Sequence, residues 1–478
     1  MLKIKADMIK RLASIILLFT PLFCFSQETY SLSQCIEIAQ KNNIAAQQAA
    51  LNQTQNKTNL KSAEYARLPN LNLGAGNNYS FGRTIDPFSN SFINQNVNSV
   101  SLNLSSSTVL YNGLRIRNNI QSAQSSLEAG EKNLEAIENN VSLDVAALYL
   151  GAVMAKEQIR LFQNNIKQTA EQLDRINVLI EAGAATIDRK LELEAQLSND
   201  ELNLINAQNA AQISLLNLRN YLNLPVSQNF DISELGAIEI NSDKTDTLNL
   251  ENVIEDNYRI MPQVKRDELL LKASEHNLAS ARSNLYPSLN FSANLNSLYS
   301  SQSSNLINPR IETFQIGYVG SDLAPVYSSQ QVFDRETPGF TEQINNNFGQ
   351  TFGFSLSVPI FNRYAVAAGI ENAKVNNQRQ LLQLQNTKNE LQNSIYQAYL
   401  NWQASEKAYE AALKSLTAQQ KLLEQTQLRY DAGAANYFDW LTVRNNFTSA
   451  EVNLLRAKYD LIFKEKTFGF YLGDEITF

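Results

Sequence analysis

His276 is the only histidine in 478 residues, and it stands in a helical stretch with no cysteine or carboxylate cluster at ligand spacing. A zinc site needs several nitrogen, sulfur or oxygen ligands, and a serine or cysteine triad needs an imidazole beside its nucleophile. Neither can be assembled from this inventory, and no phosphate-binding or dinucleotide-binding glycine fingerprint is present. Glu192 and Glu194 flank a single leucine and fall on different helix faces, as solvated charges and not as a carboxylate pair. The chain is therefore read as a non-enzyme that holds no cofactor and no metal and supplies no energy of its own.

The residues that stand out by position are two glycines. Ala182-Gly183-Ala184-Ala185 recurs as Ala432-Gly433-Ala434-Ala435, and a shift of 250 positions aligns 111–224 with 361–474 without a gap. In that register Asn112 falls on Asn362, Tyr149 on Tyr399, Leu191 on Leu441, Glu201 on Glu451 and Tyr221 on Tyr471. The chain is a duplication. Within each copy apolar residues recur every seven positions: Val145, Ala152, Ile159, Ile166, Leu173 and Ile180 in the first, Ile395, Trp402, Tyr409, Leu416, Leu423 and Tyr430 in the second. A sustained heptad holds one seam against a partner helix. The run from Gly113 to Ala182 would span roughly 105 Å as one helix, several times an ordinary domain. Gly183 and Gly433 then give each helix an exit through a left-handed residue into a returning helix, so each repeat is an αα-hairpin with a tight tip.

Upstream of each long helix the period drops from seven to two. Leu71, Leu73, Ala75, Tyr79 and Phe81 alternate with mostly polar residues, as do Val100, Leu102 and Leu104. Leu289, Phe291, Ala293, Leu295 and Tyr299 repeat the pattern, followed by Phe348, Phe352, Phe354, Leu356, Val358 and Ile360. This is the alternation of membrane β-barrel strands, apolar outward and polar inward. Pro69 and Pro287 mark matching switches from helix to strand. Four strands are too few to close around a channel, and an open edge does not survive in lipid, so several chains must share one barrel.

The boundaries follow. Residues 1–26 read as a signal peptide, with a basic start and a short apolar run ending at Ser26. The run continues through Cys24 behind Phe23, so Cys24 is not read as a lipid anchor, and only Cys35 remains in the exported chain. The first repeat is 27–224: helix 31–68, strands about 70–110, long helix 113–182, return helix 187–222. A linker at 225–250, opening with Pro225, leads to the second repeat, 251–478. That repeat holds helix 262–286, strands 288–360 around a long external loop at 300–347 rich in Asn, Ser and Gln, long helix 363–432 and return helix 437–472. Net charge is −7 and the sequence pI about 5.2, which leaves no basic patch for nucleic acid.

In this order and spacing the residues resemble the outer-membrane efflux proteins, the TolC-like channel family. The resemblance takes in the opening from Ser31 to Asn43, the strand entries at Pro69 and Pro287, Val358-Pro-Ile-Phe-Asn362 and, at the second tip, Tyr430-Asp-Ala-Gly433 with Asp439-Trp-Leu441. It implies a mixed α and β membrane protein: a homotrimer with four strands per chain in a shared barrel in outer-membrane lipid, continued by a periplasmic α-helical barrel. It further implies passive export for a tripartite efflux or type I secretion system, with a periplasmic adaptor and an inner-membrane RND or ABC transporter docking at the tips. The family's tips form the closed entrance, which makes Gly183, Asp188, Arg189, Tyr430, Gly433 and Asp439 the gate candidates. The sequence departs from the family's best-known channel where Ala435 replaces a linking arginine, Thr442 a second aspartate and Arg189 an aspartate, so Arg189 is expected to face acidic groups of a neighbouring copy. The competing reading is a soluble periplasmic coiled-coil scaffold or adaptor without a pore, which would not need four lipid-facing rows. The exported substrate is not written in this chain.

Overall fold

The computed structural model describes residues 29–85, 90–94, 96–225, 229–233 and 249–474. The expected signal peptide with Cys24 and most of the 225–250 linker lie outside the described residues. The first half runs β1 (Thr29–Tyr30), α1 (Leu32–Asn42), α2 (Ile44–Tyr65), β2 (Asn70–Ser80), β3 (Arg83–Ile85), β4 (Phe92–Asn94), β5 (Val97–Tyr111), α3 (Arg115–Glu181), α4 (Ile187–Tyr221) and β6 (Asp231–Ile232). The second runs α5 (Leu250–Ile260), α6 (Pro262–Ser283), β7 (Ser288–Ser300), β8 (Asn305–Val319), β9 (Ala324–Glu336), α7 (Phe340–Asn346), β10 (Gly349–Ser357), α8 (Ala365–Asp431) and α9 (Tyr437–Leu472). The long helices α3 and α8 have 67 residues each. Two compact units result, one of residues up to Thr54 with Gly130–Asp267 and Leu384–Phe478, the other of Gln55–Ala129 and Glu268–Gln383.

The first unit is helical. Every heptad residue named above is buried or half-buried in it, from Val145 and Ile395 to Ile180 and Tyr430. Its main core gathers Leu32, Cys35, Val145, Tyr149, Leu218 and Ile232. Ser31 caps α1 reciprocally with Gln34, which fixes where the helix starts. The short pair β1–β6 is parallel and is tied to α3 by the Tyr149 hydroxyl, 3.2 Å from the Tyr30 carbonyl and 2.9 Å from that of Ser233, and by the pairing of Lys156 with Asp231. Burial pushes the Cys35 thiol up to about 12, so this cysteine is a core residue without thiolate chemistry.

The second unit is built on a four-stranded antiparallel sheet in the order β10-β7-β5-β2. Directly paired residues share a face. Across the sheet Leu73 pairs with Leu104, Leu104 with Leu295, and Ala293 with Phe352, while Thr108 meets Phe291 and Phe291 meets Phe354. The opposite face pairs Asn72 with Ser105, Ser105 with Asn294, and Asn294 with Thr351, beside Gly76–Ser101 and Asn103–Asn296. Leu, Phe, Val and Tyr dominate one face, with Ser106, Thr108 and Ser297 among them, and Asn, Ser, Thr and Gly dominate the other, with Val109 and Leu298 among them. Phe352, Phe354 and Leu356 on the edge strand β10, and Leu71 and Leu73 on the edge strand β2, are exposed. Among the described residues no helix is long and apolar enough to cross a membrane.

Each strand pair hands over to its long helix through two left-handed residues, Gly113 and Leu114 in one repeat (φ 65° and 68°) and Arg363 and Tyr364 in the other (51° and 72°). A Cβ on Gly113 would stand 2.7 Å from the Ser283 carbonyl oxygen, so glycine is required there. Residues 300–347, expected as a loop, instead carry the antiparallel hairpin β8–β9 and the short helix α7. The prolines that suggested a loop fit the hairpin: Pro309 lies where the register shifts between Ile307 and Arg310, and Pro325 stands near the start of β9.

Candidate functional site

At the hairpin tips of the first unit the two long helices end alike. Gly183 and Gly433 have φ of 72° and 73°. The Gly183 N–H donates to Ile180 O (2.9 Å) and Ala184 N–H to Leu179 O (2.8 Å); Gly433 N–H donates to Tyr430 O (3.0 Å) and Ala434 N–H to Arg429 O (2.7 Å). These bonds satisfy the last carbonyls of each helix and turn the chain within five residues into α4 and α9. Asn436 caps α9, its side chain accepting the Asp439 N–H at 2.8 Å.

The side chains above these turns form one column. The Arg189 guanidinium lies over the Tyr430 ring, 4.9 Å from its centroid. Tyr430 stacks on Trp440 at 5.6 Å, with 22° between the planes. The Arg444 guanidinium lies on Trp440 at 5.4 Å. Arg444 Nη2 donates to Asp200 Oδ2 at 3.0 Å, to Thr169 Oγ1 at 2.5 Å and to the Asn165 carbonyl at 3.3 Å. Thr169 and Gln196 donate to the same Asp200 carboxylate, at 2.5 and 2.8 Å. Cation, two stacked rings, cation and carboxylate thus connect α4, α8, α9 and α3 in a single stack, held apolar at its flank by Ile176 and Leu193. Tyr437 adds its hydroxyl to the Glu192 carbonyl (2.8 Å), and Trp440 donates from its indole nitrogen to Gln427 Oε1 (2.6 Å).

Of the six residues named from the sequence, Gly183 and Gly433 make the turns, and Arg189 and Tyr430 touch each other. Arg189 caps an aromatic ring of its own chain. Asp188 and Asp439 are exposed in the first turns of α4 and α9, where the helix dipole favours a carboxylate. Glu192 and Glu194 do point apart: the Glu194 carboxylate pairs with Lys190 at 3.8 Å, while half-buried Glu192 has its carboxyl raised by burial and by Asp188, against Arg189. Arg444, Asp200 and Thr169 were missed, and Trp440 entered only as the middle residue of Asp439-Trp-Leu441. Their signal was faint: one arginine and one aspartate, 244 residues apart.

Burial holds the Tyr430 phenol above its ordinary range, Arg189 opposing this and Glu192 and Asp431 adding to it. Its hydroxyl is buried without a hydrogen-bond partner, so the ring and not the OH carries the interaction. Beside it lies a cavity of about 230 Å³ lined by Glu171, Arg175, Leu193, Gln427 and Asp431. Among the described residues no group of three or more His, Cys, Asp or Glu could hold a metal.

A family model described as outer membrane efflux protein matches residues 35–224 and 260–473. No curated protein sequence matches the chain. Among solved structures, the outer membrane channel CmeC of Campylobacter jejuni aligns with a TM-score of 0.71 at 17% identity, over 92% of this chain and 85% of that one. The open-state MtrE outer membrane channel of Neisseria gonorrhoeae gives 0.68 at 19% identity, over 92% and 88%. The outer membrane protein VceC of Vibrio cholerae gives 0.69 at 14% identity, over 93% and 97%. At such identities the likeness is one of fold.

Proposed function

The chain belongs to the outer membrane efflux protein family, and we propose from that premise that it is the passive exit duct of a tripartite efflux or type I secretion machine. The sheet carries the reading. Its Leu and Phe face suits lipid and its Asn and Ser face suits a wet lumen. Edge strands β2 and β10 each present a row of unpaired backbone groups, which hydrocarbon does not tolerate. Three copies of the chain, pairing β2 of one with β10 of the next, remove every edge and close twelve strands.

In this assembly an adaptor and an RND or ABC transporter engage the helical tips, and the pump imposes direction on solute that diffuses through the duct. The column from Arg189 to Asp200 is the clamp that keeps the two tips of one chain together in the closed entrance. The scaffold or adaptor reading leaves the apolar sheet face without a purpose.

Outer-membrane fractionation, heat-modifiable migration and conductance in planar bilayers test the duct. We expect an outer-membrane trimer that conducts poorly until the tip is weakened. A wholly periplasmic protein that raises no conductance in any variant would end this reading.

A further inference from the structure

The hairpin β8–β9 is inserted between β7 and β10, yet its two strands form a sheet of their own and hydrogen-bond to no strand of the four-stranded sheet. An isolated two-stranded hairpin is marginal in water. This one has strands of 15 and 13 residues and keeps large apolar side chains in the open. Following the register, Leu306, Ile311, Tyr318, Tyr327 and Phe333 lie on one face, and all are exposed. The other face is partly closed by Arg310, which pairs with Asp334 and with Glu312, both at 2.5 Å.

The root is fixed. Gln343 of α7 is fully buried, accepting the Ser300 N–H at 3.0 Å and donating to the Pro338 carbonyl at 2.9 Å. Ser297 donates to the Ile344 carbonyl (2.7 Å), Asn347 to that of Leu298 (2.7 Å), and Phe340 packs on Tyr299 at 5.2 Å. The hairpin therefore leaves the sheet in a set direction beside β10, the edge that pairs with a neighbouring copy. Its own edges are blunted by Pro309, Pro325 and two register shifts, which favours contact through the open face over edge-to-edge strand addition.

We propose that the three β8–β9 hairpins of the trimer pack on one another through the face of Ile311, Tyr318 and Tyr327, and that this crown extends the duct beyond the barrel. The occupant of each apolar face is a second copy of this chain. Three roots anchored alike on one rim repeat the apolar face around the three-fold axis, on which the three copies converge, and the contact continues the interface already required at β2 and β10. The proposal rests on the trimeric duct, and its test separates the two.

A photoreactive p-benzoyl-phenylalanine in place of Ile311, and in a second strain of Tyr318, is activated in cells carrying the full-length protein. The expected result is a denatured band shifted from one chain mass to two, with only this chain in its peptide map. Adducts with lipopolysaccharide or another protein, or no adduct, from a protein that still migrates as a native trimer, would overturn the crown and leave the duct standing. Absence of the trimer itself would remove both. Replacing residues 305–336 by a short Gly-Ser link provides the second readout. Trimers should persist with a raised conductance, and an unchanged conductance would count against the crown.

Discussion

Arg444 and Asp200, 244 residues apart, meet at 3.0 Å between the return helices of the two repeats, each with its side chain 93% removed from solvent. A buried pair is costly to halve, because the remaining charge keeps its desolvation penalty and loses its partner. Asp200→Ala or Arg444→Ala should therefore each destabilise the detergent-solubilised protein by about 3–5 kcal/mol. Replacing both by leucine should recover much of that loss. Denaturant midpoints of the unaltered protein, the two single alanine variants and the double alanine variant form the cycle, and additive single losses would dismiss the coupling.

Arg189 and Tyr430 make a different prediction. A cation over a ring contributes about 0.5–1 kcal/mol where water reaches it, so Arg189→Gln should loosen the tip and raise closed-state conductance in planar bilayers. Tyr430→Leu removes the ring from between Arg189 and Trp440 and should raise it further. Tyr430→Phe keeps the ring and deletes a buried hydroxyl that has no partner, so it should conduct like the unaltered protein. A leaky Tyr430→Phe channel would mean that the hydroxyl links to a neighbouring copy.

The sheet can be probed one residue apart. Leu104 is on the apolar face and Asn103 on the polar face of the same strand. Arginine facing lipid near the midplane destabilises a barrel by about 2–4 kcal/mol, whereas a lumen position tolerates it. Leu104→Arg should lose the heat-modifiable trimer and Asn103→Arg should keep it. The reverse result would invert the sheet.

Gly183 and Gly433 turn with φ near 72° and nothing within 4 Å of where a Cβ would be. Alanine there meets no neighbour, so its penalty is purely the left-handed backbone, about 1–2 kcal/mol per site. Gly183→Ala and Gly433→Ala should lower the melting temperature by similar amounts in circular dichroism. Gly113→Ala should be worse, since it adds a clash with Ser283 and Tyr286.

Strands, duplication and turns were legible because each is a local or regularly spaced signal: alternation at Leu71–Ala75, the 250-residue shift, glycine after a heptad. The Arg444–Asp200 pair was not, and the duplication itself hides it. The shift sets Arg444 on Glu194 and Asp200 on Ala450, so neither charge has a counterpart to reveal it. Trp440 was read as part of a motif, but its role depends on Tyr430 and Arg444 arriving from two helices. Hairpin β8–β9 was read as loop because its polar composition and prolines obey turn statistics. Its strands pair through a register with two shifts, which breaks the period-two pattern in the sequence.

Glu451 shows what the same residue does in two settings. Its repeat partner Glu201 is exposed, whereas Glu451 is held from solvent in α9 with Oε2 unpartnered, and burial pushes its carboxyl up to about 7. Between the ordinary carboxylate value near 4.5 and about 7 the folded protein holds a proton that the unfolded chain has released. Stability must then fall as pH rises through that window, the reverse of a salt-bridged carboxylate. Melting temperature should decline from pH 5 to pH 8 through this residue, and Glu451→Gln should flatten the decline and be the more stable protein at pH 8. Glu201→Gln should leave the profile as it is. If Glu451→Gln instead lowers stability at pH 8, the carboxylate is paired in the trimer, and a cation from a neighbouring copy must reach it.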